Sequence, residues 1–497
     1  MNKNKYDMFF HYFTKVSCIS LLLYFAYFMI WTIFNTETGN GDNVEHIHST
    51  WLVSQNKIPY KDFFQHHNPL LWYIFSPFIG FIKTELQMLD IAHSLGMLAG
   101  IIAFYFAYKI SSTFFGSKLA SILSLLILCP PFFYIFCFNF NPDTFMCLAY
   151  AIGLYYLFTY WQTPKLYSLV ISFFSFFIAF MFTQKILIAY VYLGLLSLFV
   201  FYQKKSNVTD ILYALMLPIL SLILFLSYLY SKDALSIYWK TNYIFNAGMQ
   251  DYYGAIKTSV ASRKFLEPAL YLSMLSILFS FIKGNIYIKV TSIMFVIEIL
   301  ERYFYFSIAP YYMLPLMIYT VCLNSVIIDK LINKRKEIII LFLGLSVYYA
   351  VVNKNKYISV RGQNRGFATY LSHNVTPCDY VLSGFLGIQS IMTKDVHYYW
   401  ALLGHIDVAG EAMGIAPKPN VTELVLRYKP KLIYGGELYN NYYLNRGKQV
   451  IVQKVRKDVL EKYYHQTPYS GFYLLKPEYQ KRQCQYNAST KEWLYED

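Results

Sequence analysis

Six side chains that can exchange protons or bind phosphate lie within one short segment of the sequence. They are Asp42, Glu45, His46, Asp62, His66 and His67. A carboxylate can take a proton from a nucleophilic hydroxyl, and an imidazole can hold an anionic oxygen. These residues also have non-catalytic interpretations. Asp42 could cap a helix, and paired histidines are often surface residues. Their clustering in a single segment favours a catalytic or binding loop.

The residues around Asp42 have the periodicity of an amphipathic helix. At about 100° per residue, one face carries Asp42, Glu45, His46 and Ser49, and the other carries Val44, Ile47, His48 and Trp51. This pattern predicts a helix that lies flat at a membrane surface with its polar face exposed. Pro59 and Pro69 then bracket an irregular stretch, and residues 70–83 predict a second, short interfacial helix.

The elements that must position this segment are membrane helices. Of the 497 residues, 56% are hydrophobic and only 14% are charged, whereas soluble domains carry about 25% charged residues. Apolar runs long enough to span a bilayer, about 20 residues each, recur along the first two thirds of the chain. The predicted spans are 17–34, 88–109, 119–136, 142–160, 166–182, 186–202, 211–230, 265–282, 286–304, 311–328 and 337–352. The sequence therefore predicts a polytopic α-helical membrane protein with eleven transmembrane helices.

The basic residues lie where they set topology rather than where they would bind nucleic acid. The formal net charge is +15, but the lysines and arginines lie between apolar runs and form no basic stripe. Positive residues precede the first span and recur in alternate turns, which predicts a cytoplasmic N-terminus. Eleven spans from that start leave residues 35–87 and 231–264 as outer loops and place residues 353–497 on the periplasmic side.

The C-terminal segment differs in composition from the rest of the chain. Residues 353–497 are polar, with turn signals and short apolar stretches such as 380–382. This pattern predicts a small α/β domain that follows a transmembrane domain of residues 1–352. Cys378 and Cys484 both fall in the C-terminal domain, and the sequence leaves open whether they form a disulfide.

The first outer loop resembles that of bacterial GT-C glycosyltransferases, the membrane enzymes related to protein O-mannosyltransferases and the aminoarabinose transferase of lipid A. The resemblance lies in Asp42-x-x-Glu45-His46-x-His48, followed by Ile58-Pro59-Tyr60-Lys61-Asp62-Phe63-Phe64-x-His66-His67-x-Pro69-Leu70. The layout of spans over residues 17–352 is similar as well, and the tail is weakly similar.

The resemblance implies transfer of a sugar from a polyprenyl-phosphate carrier to an envelope acceptor, a lipid, glycan or protein, on the periplasmic side of a bacterial inner membrane. An acidic residue of the first loop is the essential acid/base group in this family, and Asp42 holds that position. Asp143, at the start of a later span, matches the family's second acidic residue. The family often has Glu directly after the Asp, whereas this sequence has Asn43 and then Glu45. Whether Glu45 assists catalysis, and whether a divalent metal takes part, therefore stays open.

The implied reaction also needs cations, because the leaving group is a lipid phosphate. We expect the donor phosphate to be bound by Lys185, Arg302, His66 and His67. We expect the substrate to contact His46, Asp62 and Tyr60. Charges inside a membrane are costly and tend to be functional, but Lys185 and Arg302 could instead snorkel from helix ends to the interface. Glu301 could also neutralise Arg302 as a structural pair.

Two other functions compete with an inverting glycosyltransferase. A lipid-linked glycan polymerase or ligase would use a diphosphate carrier and usually places its large outer loop between late spans. A lipid-sugar flippase or other transporter often shows internal repeats and helices broken at the midplane, and no convincing repeat stands out here. The sequence shows no Walker or Rossmann glycine pattern and no Asp-x-Asp loop of nucleotide-sugar enzymes, which favours a lipid-linked donor without a soluble cofactor.

Overall fold

The structure is a computed structural model that describes most of the chain. The described residues are 3–35, 41–79, 82, 84–136, 140–203, 207–248, 267–304, 314–361, 365–382, 392–398, 410–411, 413–415, 420–434, 455–480, 484–487 and 492–495. The chain divides into two compact units. Unit 1 comprises Met1–Asn35, His93–Ser221 and Lys257–Gly362, and unit 2 comprises Thr36–Ala92, Leu222–Ile256 and Gln363–Asp497. Unit 2 thus combines most of both predicted outer loops with the C-terminal segment, and the predicted domain boundary at residue 352 stays a prediction.

Long apolar runs fold as helices, because backbone polar groups in hydrocarbon must be paired within the segment. Within the described residues the α-helices are, in chain order, α1 (Lys3–Asn35), α2 (Gly41–Ser54), α3 (Leu70–Ile79), α4 (Glu85–Phe114), α5 (Lys118–Phe136), α6 (Pro142–Gln162), α7 (Leu166–Phe182), α8 (Leu187–Gln203), α9 (Val208–Ser231), α10 (Leu235–Trp239), α11 (Glu267–Ser280), α12 (Ile286–Phe304), α13 (Leu314–Lys334), α14 (Ile338–Arg361), α15 (Arg365–Asn374), α16 (Val421–Tyr428) and α17 (Lys457–Tyr463). Each predicted span falls on one of these helices.

The length and composition of these helices are those of a multi-span membrane protein. Among the described residues, six segments are long and apolar enough to cross a membrane: Met8–Phe28, Glu85–Phe114, Pro142–Gln162, Gln184–Gln203, Val208–Ser231 and Leu314–Lys334. Shorter apolar helices accompany them, such as Leu166–Phe182 and Ile338–Tyr348. The predicted fold class, a polytopic α-helical membrane protein, is therefore confirmed.

Helices α6 and α7 form a closely packed pair within unit 1. Gly153 lets the two helices approach, because a Cβ at this position would lie 2.5 Å from the ring of Phe176. The hydroxyl of Ser172 in α7 donates a hydrogen bond to the Gly153 carbonyl at 2.9 Å. The pair carries two predicted site residues, since Asp143 lies in the first turn of α6 and Lys185 lies in the short 3-10 helix that follows α7.

Helix α2 of unit 2 has the predicted position but not the predicted exposure. Every residue from Asn43 to Val53 except Glu45 is buried, so the expectation of a flat surface helix with an exposed polar face is wrong. The stretch between α2 and α3 covers part of the polar face, since the amide of Gln65 donates to Glu45 and to Ser49. Periodicity reports which side chains are polar, but not whether another part of the chain covers them.

The C-terminal part of unit 2 contains a five-stranded mixed sheet. Its strands are β1 (Tyr380–Leu382), β2 (Lys394–Asp395), β3 (Leu432–Tyr434), β4 (Tyr464–Gln466) and β5 (Phe472–Leu475), in the spatial order β2-β1-β3-β5-β4. Strand β1 pairs in parallel with β2 and β3, whereas β5 pairs antiparallel with β3 and β4. Strands β6 (Cys484–Asn487) and β7 (Glu492–Tyr495) form an antiparallel hairpin. Helices α16 and α17 lie between strands along the chain, and the predicted small α/β domain is confirmed.

The two predicted outer loops contribute to the core of this sheet. Phe64 and Phe245, one from each loop, are 5% and 0% exposed and belong to the same hydrophobic cluster as Leu382 and Ile433. The backbone N–H of Phe64 also donates to the carbonyl of Tyr398 at 2.8 Å. The first outer loop is thus part of a folded domain rather than a connector, which fits the rule that long ordered loops are usually functional.

Cys378 and Cys484 form a disulfide in the C-terminal domain. The bond connects Cys378, two residues before β1, with the first residue of β6, at a sequence separation of 106 residues. Closing a loop of this size restricts the unfolded chain and is worth about 4–5 kcal/mol in the chain-entropy account. The pairing that the sequence left open is therefore present in the structure.

We expect the Gly153→Ala variant to be less stable than the wild-type protein, because the new methyl group would meet Phe176. That ring cannot easily move, since its centroid lies 5.5 Å from the rings of both Tyr150 and Tyr190. Overpacking of this kind costs about 1–3 kcal/mol and should lower the melting temperature measured in detergent. Gly194→Ala is the matched control, because a Cβ at Gly194 meets nothing within 4 Å. Equal melting temperatures for the two variants would contradict this packing.

We expect the denatured protein to expose two more reactive thiols after reduction than before, because Cys378 and Cys484 are paired. Maleimide labelling followed by peptide mass spectrometry identifies the cysteines that react in each state. The Cys378→Ser variant should show the same thiol count before and after reduction. Full labelling of Cys378 and Cys484 in the unreduced wild-type protein would show that the disulfide does not form.

Candidate functional site

Three side chains of the first outer loop with ligand-type atoms come together in unit 2. Glu45, His46 and His67 each offer one oxygen or nitrogen atom, and these atoms all lie within 4.8 Å of one another. His46 and His67 are 1% and 7% exposed, and their ring centroids are 5.0 Å apart. His66 lies beside them, with its ring centroid 4.2 Å from that of His67. The structure therefore brings together four of the predicted site residues.

Buried polar neighbours hold this cluster, and the sequence analysis did not identify them. Gln65 is fully buried, and its amide donates to Glu45 Oε1 at 2.9 Å and to the Ser49 hydroxyl at 2.8 Å. The indole N–H of Trp72 lies 3.4 Å from Nδ1 of His46. These contacts orient the carboxylate and the imidazole. A polar residue directly before the histidine pair was the signal that could have identified Gln65.

Tyr60 supports His67 from within the protein. Its side chain is fully buried, and its hydroxyl donates to the His67 carbonyl at 2.7 Å. Burial raises the pKa of this hydroxyl well above its usual value, so Tyr60 is a neutral hydrogen-bond donor. Its backbone φ of 70° lies in the left-handed region, which bulky residues rarely adopt and which clusters at functional sites. This placement favours a positioning role for Tyr60 over the predicted contact with substrate.

Asp62 closes a turn in the same loop. Its carboxylate accepts a hydrogen bond from the Ile58 N–H at 2.6 Å, and its own N–H donates to the Ile58 carbonyl at 2.9 Å. Unlike the side chains of the histidine cluster, the side chain of Asp62 is exposed. In the structure Asp62 stabilises the turn of this loop. Its contact with substrate stays a prediction.

Asp42, the predicted base, is the second residue of α2, three positions before Glu45 and four before His46. Residues at these spacings are neighbours on one side of a helix. The side chain of Asp42 lies outside the part of the chain that the structure describes, so its catalytic role stays a prediction.

A buried hydrogen bond between His48 and Asp395 joins the first outer loop to the C-terminal sheet. Nε2 of His48 lies 3.0 Å from both carboxylate oxygens of Asp395 in β2. The side chain of His48 is fully buried, and that of Asp395 is 17% exposed. Glu85 makes a further link, because its carboxylate accepts a hydrogen bond from the Met392 N–H at 3.2 Å. The sequence analysis missed these partners, since no local pattern reports a contact between residues so distant in the chain.

In unit 1 the structure pairs two further predicted site residues, Asp143 and Lys185. Asn141 caps α6 by accepting a hydrogen bond from the Asp143 N–H at 3.0 Å, and Pro142 begins the helix. Nζ of Lys185 lies 3.5 Å from Oδ2 of Asp143, whose side chain is 1% exposed. Such a carboxylate needs a partner, because breaking a buried ion pair costs about 3–5 kcal/mol.

Helix α12 carries Arg302 and an acidic residue that the sequence analysis missed. Arg302 lies in the last turn of this helix, and its side chain lies outside the described residues, so its contact with phosphate stays a prediction. Glu298, one turn earlier, is 2% exposed. Ionisable residues buried in membrane segments are costly and are usually functional. The sequence contained a signal for Glu298, because a carboxylate within an otherwise apolar run is unusual.

Each unit therefore contains ionisable groups held close together in buried surroundings. In unit 2, one carboxylate and two imidazoles can exchange protons or bind a cation. In unit 1, the ammonium group of Lys185 is a point charge of the kind that binds phosphate, and Asp143 balances that charge. These are the group types that acid/base chemistry on a phosphorylated substrate requires.

A protein-family model matches the segment of the chain that contains Asp143 and Lys185. The family model described as dolichyl-phosphate-mannose-protein mannosyltransferase matches residues 86–230. Asp143 and Lys185 both lie within this match. No match to the curated proteins reaches significance.

The fold is similar to that of ArnT from Cupriavidus metallidurans. The crystal structure of this protein in the apo state is 12% identical in sequence, with a TM-score of 0.57 over 84% of this chain and 92% of that chain. The structure bound to undecaprenyl phosphate is 11% identical, with a TM-score of 0.54 over 87% of this chain and 93% of that chain. These matches show that this chain shares the fold of ArnT, as the resemblance of the first outer loop predicted.

Proposed function

We propose that this protein is a glycosyltransferase that moves a sugar from a polyprenyl-phosphate carrier to an envelope acceptor at the outer side of a bacterial plasma membrane. The mannosyltransferase family match supports the reaction class. The fold shared with a structure that binds undecaprenyl phosphate supports a lipid-phosphate carrier. The observation that carries the proposal is the first outer loop, whose carboxylate and histidine side chains form a buried cluster in a protein with the GT-C fold.

Asp42 is the proposed general base. A hydroxyl is a poor nucleophile at neutral pH, so a carboxylate must take its proton as the oxygen attacks the anomeric carbon. A bond forms between the acceptor oxygen and the anomeric carbon, and the bond from that carbon to the phosphate oxygen breaks. The electron pair leaves with the phosphate, and attack from the opposite side inverts the anomeric configuration. The proton ends on Asp42, and the carrier departs as polyprenyl phosphate.

The departing phosphate gains negative charge, which cations must stabilise. Lys185 is the proposed partner in unit 1, because its contact with Asp143 at 3.5 Å is long and its side chain is 27% exposed. Charge-assisted hydrogen bonds are usually about 2.7–2.9 Å long, so a phosphate oxygen can compete for this ammonium group. Arg302, His66 and His67 are proposed to contribute further donors to the phosphate.

The orientation of the protein in the membrane is also part of the proposal. Disulfides persist in oxidising compartments, so the bond between Cys378 and Cys484 favours an extracytoplasmic C-terminal domain. The lysines and arginines between alternate apolar runs favour a cytoplasmic N-terminus. Both arguments support a periplasmic location for the first outer loop.

Replacing Asp42 with Asn should abolish sugar transfer, because an amide cannot take the proton of the acceptor. The expected loss of turnover is about 10²–10⁴-fold. Turnover is measured by mass spectrometry in membranes supplied with polyprenyl-phosphate sugars extracted from the producing cells. Asp458→Asn is the matched control, because the Asp458 side chain is 62% exposed. Unchanged turnover in the Asp42→Asn variant would remove this residue from the mechanism.

The products of the same assay separate the competing functions. A transferase of the proposed kind releases polyprenyl monophosphate and forms a covalent link between sugar and acceptor. A polymerase or ligase would release a diphosphate carrier. A flippase or transporter would move the lipid-linked sugar across vesicles and form no covalent product.

We expect Lys185→Gln to weaken the binding of undecaprenyl phosphate about tenfold to hundredfold, because a hydrogen bond to a charged group is worth about 1.5–3 kcal/mol. Binding to the purified protein in detergent can be measured by native mass spectrometry. Lys185→Arg keeps the charge and should retain most of the affinity. Lys457→Gln is the matched surface control, since the Lys457 side chain is 87% exposed. Wild-type affinity in the Lys185→Gln variant would exclude this lysine from the phosphate site.

A further inference from the structure

We propose that the C-terminal domain carries a binding site for an acidic saccharide, formed by cationic and tyrosine side chains near the ends of α16 and α17. The negative face of a tyrosine ring packs against the C–H groups of a sugar. Cations bind the carboxylates or phosphates that an acidic sugar carries. The residues of this aromatic-cation patch are Arg427, Tyr428, Lys429, Lys462, Tyr463 and Tyr479.

The ammonium group of Lys429 lies over two aromatic rings. Its Nζ is 5.3 Å from the ring centroid of Tyr463 and 5.5 Å from that of Tyr479. The two rings contact each other edge to face, with their centroids 5.0 Å apart. A second ammonium group, that of Lys462, lies 4.9 Å from the Tyr463 centroid. Two positive charges therefore lie beside one pair of half-buried rings.

The end of α16 adds a second cation and ring. The guanidinium carbon of Arg427 is 5.3 Å from the ring centroid of Tyr428. The ring of Tyr428 packs on that of Tyr380 in β1, with the centroids 4.9 Å apart. Because Tyr428 and Lys429 are consecutive residues, the two cation-ring groups are neighbours along the chain. Neighbouring groups of this kind suit an oligosaccharide better than a single sugar.

The carboxylates of α17 do not neutralise the patch. Asp458 forms an ion pair with Arg456, and Glu461 lies 3.5 Å from Lys457. Within residues 420–434 and 455–480, which the structure describes, the two ammonium groups of the patch contact rings rather than carboxylates. The exposed Glu478 adjoins Tyr479 in the chain, but its single negative charge leaves the three cations of the patch in excess. Charge complementarity therefore favours an anionic ligand.

The backbone of Lys429 indicates that its side chain has a role beyond folding. Its φ of 43° and ψ of 61° lie in the left-handed region. Helices that end in this conformation usually have Gly there, because a Cβ is strained. Residues kept in such a conformation cluster at functional sites. The Lys429 N–H also donates to the Val425 carbonyl at 2.9 Å, so the backbone is fixed before a ligand binds and less conformational freedom is lost.

Binding can be measured by isothermal titration calorimetry on the full-length protein in a non-ionic detergent. The probe is tetragalacturonate, in which each sugar ring carries a carboxylate, and the neutral reference is maltotetraose. We expect maltotetraose to bind about tenfold or more weakly, because it lacks the charged hydrogen bonds. Binding of tetragalacturonate should also weaken about tenfold when NaCl is raised to about 0.5 M, because salt screens exposed charges.

The Lys429→Gly variant separates binding from folding. Glycine removes the ammonium group and relieves the strained backbone, so we expect about tenfold weaker binding with an equal or higher melting temperature. Lys462→Glu and Tyr463→Ala should also weaken binding about tenfold or more, whereas Tyr463→Phe keeps the ring and most of the affinity. Lys457→Gln is the matched control from α17, because the Lys457 side chain is 87% exposed and pairs with Glu461.

Three results would overturn the site. The first is equal affinity for tetragalacturonate and maltotetraose, and the second is wild-type affinity in the variants that remove a cation or a ring of the patch. The third uses glycerol phosphate, the headgroup of an anionic membrane lipid, as a competitor. If it displaced tetragalacturonate at equal concentration, the patch would recognise charge alone and not a saccharide.

The role of the patch in the reaction rests on the proposed function, whereas the site itself rests only on the geometry of unit 2. An acceptor saccharide held by groups that do not touch the reacting atoms lowers KM without raising kcat. We therefore expect Lys429→Gly to raise the KM for acidic glycans extracted from the producing cells and to leave kcat unchanged.

Failure of the site and failure of the proposed function have different signatures. An unchanged KM in a variant that no longer binds tetragalacturonate would overturn the acceptor role and leave the transferase intact. Tetragalacturonate binding that depends on the patch, in a protein that transfers no sugar, would support the site and contradict the function.

Discussion

The hydrogen bond between His48 and Asp395 is the contact on which the rest of unit 2 depends. It joins the first outer loop to a strand 347 residues later in the chain, and the imidazole is fully buried. Removing one partner would leave a buried polar group without its hydrogen bond, which costs about 1–3 kcal/mol. Since His48 lies in the same turn of α2 as Glu45, this contact also fixes the helix that carries Glu45 and His46. The C-terminal domain is thus part of the architecture of the candidate site.

Aromatic packing adds to the contact between His48 and Asp395. The ring of Phe64 lies 5.2 Å from that of Phe245 and 6.1 Å from that of Tyr398, and the Tyr398 hydroxyl donates to the Tyr60 carbonyl. Three segments that are distant in sequence therefore share one core. A site built on elements locked in this way loses little conformational freedom when a ligand binds. The shared core explains why the predicted outer loop folds into helices with buried contacts instead of forming an extended connector.

Apolar runs and periodicity predicted the helices correctly, because helix formation depends on residues that are close together in the sequence. The predicted spans coincide with helices because an apolar run in hydrocarbon must pair its own backbone polar groups, which a helix does. The helical period of the residues after Asp42 predicted the position of α2. The exposed face of α2 was wrongly predicted, because a distant domain decides whether a polar face meets water. Asp395 was missed for the same reason, since nothing near it in sequence points to His48. Glu298 is different, because a carboxylate within an apolar run was visible and was overlooked.

The charge balance of the two clusters sets a condition on any phosphate donor. With neutral imidazoles, the group of Glu45, His46 and His67 carries one negative charge, and the pair of Asp143 and Lys185 carries none. The cation of the two clusters is the ammonium group of Lys185, so a phosphate oxygen must compete with Asp143 for it. Their contact of 3.5 Å is longer than the usual charge-assisted hydrogen bond of about 2.7–2.9 Å, so this ammonium group can exchange Asp143 for the phosphate.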